Sequence, residues 1–220
     1  MMRENPRERP ILFSGPMVHA LLDGRKTVTR RIVRERAGCR IDVRSDGVPV
    51  YVTRASDDGG EPIPCPYGKR GDRLWVKETW RPRPSLDVEG IPDGAGVSVQ
   101  YAADGAEVFV DERRIPDTWT MPKSATHGNV SSLLMPRWAS RILLEITGVR
   151  VERLQAITED DVRAEGVTAA AVAALLGRDP PADAGPLDLW QLGWDAINGD
   201  RAPWSSNPWV WRIAFRRIKP

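Results

Sequence analysis

Between residues 23 and 34 the chain reads Asp23-Gly24-Arg25-Lys26-Thr27-Val28-Thr29-Arg30-Arg31-Ile32-Val33-Arg34. Polar and β-branched residues alternate after Gly24, which predicts a turn running into a strand. Upstream, Ile11-Leu12-Phe13 reads as a short strand, and Ser14-Gly15-Pro16 opens a helix with proline in an early position. Met17, Ala20 and Leu21 fall on one face of that helix, and Gly24 is placed to end it. Lys26 and Thr29 lie three positions apart, and they face each other only if the chain turns between helix and strand. Within reach of one another, a neutral lysine amine takes the proton of a threonine hydroxyl and makes it a nucleophile. Neighbouring Arg25, Arg30 and Arg31 would lower the affinity of Lys26 for its own proton. The plainer alternative is a solvated basic strand that binds phosphate or nothing.

Working outward, Asp46-Gly47 marks a hairpin over residues 43–52. Gly71-Asp72-Arg73-Leu74-Trp75-Val76 is a turn feeding a strand. Residues 81–134, rich in Pro, Gly and Asp, read as a long, partly structured insertion with strands at 97–102 and 106–110. Residues 141–154 are the strongest strand, with Gly148 at a bulge or bend. Thr158-Glu159-Asp160-Asp161 caps a short helix ending near Glu165-Gly166. Further helices are expected at 168–176 and 186–198, and a last strand at 209–215.

The 220 residues carry 32 Lys+Arg against 30 Asp+Glu, so the chain as a whole is no polycation. Hydrophobic (41%) and charged (28%) fractions fit a globular domain and exclude a largely disordered chain. Nineteen Gly and nineteen Pro work against long helices. No apolar run approaches the roughly 20 residues of a membrane span. Residues 1–10 read as a charged mobile arm with no signal-peptide core after it, so a cytoplasmic protein is expected. Cys39 and Cys65 read as reduced thiols. They share no metal-ligand spacing with His19 and His127, so neither metal nor cofactor is expected.

Four blocks carry a resemblance. A helix followed by residues 23–30, then residues 71–76, then 154–167, then Trp209-Val210-Trp211-Arg212-Ile213-Ala214-Phe215 resembles, in order, the ASCH family of small PUA-like β-barrels. The match spans about half the chain. It implies an α+β fold, a small mixed β-barrel decorated by short helices, in one domain over residues 1–220. The core would comprise about 11–36, 66–80, 135–167 and 205–218, with insertions at 37–65, 81–134 and 168–204. With its Cys65-Pro66-Tyr67-Gly68 block and residues 135–141, the chain also resembles longer open reading frames of phages and prophages.

Some ASCH proteins are amidohydrolases that remove the acyl group from N(4)-acetylcytidine and related N(4)-acylcytosines. The resemblance implies a catalytic trio of Lys26, Thr29 and Glu165. Thr29 attacks the acyl carbonyl, Lys26 serves as its base, and Glu165 orients Lys26 or passes a proton to the leaving group. The substrate is then a nucleoside or modified pyrimidine. On residues alone, Glu165 is a helix-end carboxylate, and Glu78 is a competing acid that could line the same pocket. Arg25 or backbone N–H groups at 28–30 are candidate oxyanion donors. Arg25, Arg30 and Arg31 are candidate substrate contacts. Trp75, Trp80 and Trp138 adjoin the family's blocks and are the candidates for stacking on a pyrimidine. Trp190 and Trp194, at i and i+4, read as the buried face of a helix.

Residues 25–36 hold six cations and one acid, and Arg137 and Arg141 extend the stripe. Either it holds a nucleic-acid backbone or its arginines pair with the acids of 158–165. The alternatives to an amidohydrolase are therefore a PUA-like reader of RNA or a modified nucleotide, and an ASCH-type ribonuclease.

Overall fold

A computed structural model of the protein describes residues 5–53, 60–86 and 91–219. Its main sheet has the order β1-β6-β10-β11-β2, from β1 (Glu8–Leu12), β2 (Val28–Ile32), β6 (Arg73–Lys77), β10 (Leu143–Arg153) and β11 (Trp209–Ile218). β1 runs parallel to β6, and the remaining pairs are antiparallel. A small second sheet joins β3 (Arg40–Val43), β4 (Pro49–Val52) and β5 (Glu61–Pro62). A third joins β7 (Trp80–Leu86), β8 (Pro92–Tyr101) and β9 (Glu107–Asp111). The helices are α1 (Gly15–Leu22), α2 (Glu159–Ala164), α3 (Ala169–Leu176) and α4 (Pro186–Asn198).

The architecture is mixed α+β, but among the described residues no sheet closes into the expected barrel. β1 and β2 remain the two edges of the main sheet because the chain leaving β1 enters α1 instead of pairing across. That helix buries Val18, Ala20 and Leu21. Val18 and Leu21 pack into one core with Ile11, Leu74, Leu144 and Ile213. Side chains span the remaining gap: Arg31 donates to the Leu12 carbonyl at 2.8 Å and lies over the Phe13 ring.

The expected arm is shorter than its reading. Residues 1–4 lie outside the described residues, while the backbone N–H of Arg7 donates to Asp72 and β1 starts at Glu8. The insertion at 81–134 is better built than its composition suggests. Its three-stranded sheet packs Val97, Val99, Tyr101 and Val110 against Trp80 and Met135, which flank the insertion. β7 escapes a sequence reading because Pro82 and Pro84 interrupt it, and an edge strand tolerates prolines that a central strand would not. Elsewhere local signals hold. Thr158 caps α2 by accepting from the Asp161 N–H, and β10 shifts register between Ile146 and Gly148. Among the described residues no helix is long and apolar enough to cross a membrane.

Candidate active site

Two glycines bring the site together. Gly24 adopts a left-handed φ of 73° after α1, a conformation glycine takes without a Cβ penalty. The chain reverses there, and the Lys26 N–H reaches back to the Ala20 carbonyl at 2.9 Å. The Thr27 N–H then donates to Ala164 at the end of α2, which brings the two segments side by side. Gly166, at φ 71°, is the second. A Cβ there would stand 2.7 Å from the Ala20 Cβ and 3.2 Å from the Lys26 Cβ. Gly166→Ala is therefore expected to cost about 1–3 kcal/mol through overpacking and backbone strain. A urea unfolding series reads that loss, and an unchanged midpoint would contradict this packing.

Lys26 and Glu165 form a buried ion pair in this junction. Lys26 Nζ lies 2.7 Å from Glu165 Oε2 and also donates to the Glu165 carbonyl at 2.9 Å. Arg30 Nη1 approaches the other carboxylate oxygen, Oε1, at 3.3 Å. Burial pushes the Lys26 ammonium below its ordinary value of 10.5, with Arg31 and Arg30 adding to the effect and Glu165 opposing it. The Phe13 ring centroid stands 5.4 Å from Nζ.

Thr29 sits on β2, 2% exposed, and lines the same cavity as Lys26 and Glu165. Its hydroxyl makes no hydrogen bond among the described residues, and its oxygen is not among the fully buried atoms that lack a partner. The cavity encloses about 340 Å³. It flanks β2, whose Thr27 carbonyl and Val33 N–H bond toward β11. Antiparallel alternation then turns the N–H groups of Val28, Arg30 and Ile32 away from the sheet, and Arg30 and Ile32 line the cavity.

Behind the site, the register stacks three arginines across three strands: Arg30 opposite Arg212, and Arg212 opposite Arg150. Like charges in such a row repel, so carboxylates must bridge them. Asp161 takes Arg30 on one oxygen (2.8 Å) and Arg212 on the other (2.7 Å). Glu152 likewise takes Arg30 at 2.6 Å and Arg150 at 2.8 Å. Burial pushes the Asp161 carboxyl up, but hydrogen bonds and charge from Arg212 and Arg30 outweigh it and hold the group below its usual range.

Several candidates fall elsewhere. Arg25 is half exposed and pairs with Asp23, with a further bond to the Gly166 carbonyl. It does not line the cavity. Trp75 lies on β6, three strand steps or roughly 14 Å from β2, beside the Lys77 ammonium. Glu78 follows β6 and is buried against Arg141, which also holds Asp104. Trp138 packs edge-on against Trp80 and Trp119 in the core of the third sheet. Neither Trp75, Glu78, Trp80 nor Trp138 reaches the cavity. Trp80 and Trp138 are held instead in the core beneath the third sheet. Arg30 and Arg31 do line it, but Arg30 is already engaged by three carboxylates.

The indoles that line it are Trp190 and Trp194 of α4, 6.0 Å apart. Their i, i+4 spacing places them on one face, and that face is at once buried and turned to the cavity. Spacing alone cannot separate the two roles. Among the described residues no three His, Cys, Asp or Glu side chains group as metal ligands do. Against protein-family models, curated proteins and solved structures, the chain finds no match.

Proposed function

We propose that the protein is an amidohydrolase that removes the acyl group from N(4)-acetylcytidine or a related N(4)-acylated cytosine nucleoside. One observation carries this reading: Thr29, whose hydroxyl is bonded to no described residue, shares a cavity with a buried Lys26–Glu165 pair. The four sequence blocks that resemble the ASCH family supply the substrate class.

Thr29 Oγ1 attacks the acyl carbonyl while Lys26, in its neutral form, takes the hydroxyl proton. The tetrahedral oxyanion is met by backbone N–H groups on the open edge of β2, with Arg30 the central one. Collapse breaks the C–N bond, and the proton held by Lys26 passes to the departing cytosine amine. Water then attacks the threonine ester as Lys26 takes its proton, and that proton passes to Thr29 Oγ1 as the C–O bond breaks and the acid departs. Glu165, held on its other oxygen by Arg30, keeps Lys26 aimed through both steps. The nucleic-acid alternative needs free cations along residues 25–36. Four of the six, Arg25, Lys26, Arg30 and Arg36, are instead paired with acids, as are Arg137 and Arg141 with Glu8, Glu78 and Asp104, and Arg31 is held by the Leu12 carbonyl.

Incubation with N(4)-acetylcytidine or a longer N(4)-acyl homologue, followed for cytidine release, tests the assignment. Turnover is expected to rise with pH as Lys26 loses its proton, with an inflection below pH 10.5, since burial disfavours the ammonium. The Glu165 charge works the other way, so Glu165→Gln moves the inflection to lower pH while reducing the maximum rate. Absence of cytidine release from both substrates defeats the proposal.

A further inference from the structure

The cavity has two unlike sides. The β1–α1–β2 and α2 side is mixed: it carries all the charged groups, Lys26, Arg30, Arg31 and Glu165, with Ser14 and Thr29, beside the apolar Phe13, Pro16, Met17 and Ile32. The opposite wall comes from Val167 and the α3–α4 segment, and there the side chains are Val172, Leu175, Trp190, Trp194 and Ile197, with Asn198 the polar exception. That wall runs from buried Val172 and Trp194 out to Leu175 and Ile197, which are 43% and 60% exposed. Large apolar side chains left in water beside a hydrophobic cavity mark a surface that a ligand covers.

We propose that the α3–α4 wall is an acyl-binding chamber that selects bulky apolar acyl groups, medium-chain or aromatic, over acetyl. The inference rests on the hydrolase reading for its chemistry. An N(4)-acyl nucleoside has a polar end, which carries the ribose and the base edges, and an apolar end, which is the acyl chain. Only the acyl chain gains by leaving water for Val172, Leu175 and the two indoles. Because the scissile carbon must meet Thr29 on the charged side, the chain beyond it extends toward α3 and α4. An acetyl methyl would leave most of that wall uncovered.

The test uses calorimetric binding of N(4)-acetyl-, N(4)-butanoyl-, N(4)-hexanoyl- and N(4)-benzoylcytidine to full-length Thr29→Val protein, with turnover measured in parallel on the unmutated chain. Affinity is expected to rise about fourfold for each added methylene, so hexanoyl exceeds acetyl by about 250-fold. Leu175→Ser, at a position 43% exposed, is expected to weaken hexanoyl binding several-fold and acetyl binding by a smaller factor. A flat series, or one in which acetyl binds best, overturns the chamber even if acetylcytidine is hydrolysed. A rising series with no turnover of any member upholds the chamber and sinks the hydrolase. If no member binds, the chamber is also overturned.

Discussion

Thr29→Val is expected to reduce hydrolysis at least about a thousandfold while leaving the melting temperature unchanged or slightly raised. The two effects separate because of how the hydroxyl is held. Thr29 is buried on β2, yet its Oγ1 forms no hydrogen bond among the described residues, so its removal orphans no partner. Valine keeps the shape and the β-branching that the strand favours. Lys26→Met gives an instructive contrast. It also abolishes turnover, but it leaves Glu165 buried with Arg30 as its remaining cation, so stability falls as well. Calorimetric melting beside a cytidine-release assay distinguishes these outcomes. Retained turnover in Thr29→Val removes the nucleophile from the proposal, and a large drop in melting temperature shows that the hydroxyl is structural.

The elements that carry Lys26, Thr29 and Glu165 are legible in the sequence because each depends on local chemistry: a glycine that reverses the chain after α1, a β-branched strand, and a capped helix ending in Glu165-Gly166. Grouping the three is what the ASCH resemblance implies, since on residues alone Glu165 is a helix-end carboxylate. The hairpin at Asp46-Gly47 and the bulge at Gly148 are legible from local chemistry too. Pairing between distant segments is not. Nothing near Ile11 states that β1 runs parallel to β6, and nothing near Arg30 points to Glu152, which belongs to β10, two strands away. The tryptophans mislead for a different reason. Trp75 and Trp138 lie beside site-like blocks in the sequence, but proximity along the chain says little across three strands. Helical period assigns Trp190 and Trp194 to a buried face, which is correct about burial and silent about the cavity on that face.

The arginine row behind the site sets the second large effect. Arg30→Met is expected to destabilise the fold by about 3–5 kcal/mol and lower the melting temperature by roughly 10 °C. The side chain is 0% exposed, and three carboxylates converge on it. Removing it does not leave three bare anions, because Glu152 keeps Arg150, Asp161 keeps Arg212 and Glu165 keeps Lys26. Relief of repulsion between Arg30 and Arg212 offsets a further part. The loss is therefore that of one broken buried pair and not of three. Its pH dependence follows from Asp161. Its lowered carboxyl affinity for protons contributes stability that is present above pH 3.8 and lost as the pH falls through the folded-state value. Arg30→Met shrinks that contribution, so the gap between the two proteins is widest near neutrality and narrows below pH 3.8. Melting temperatures measured for both across that range test it. A gap independent of pH would mean that Arg30 acts through packing against the Trp190 ring, 5.9 Å from its guanidinium, and not through the carboxylates.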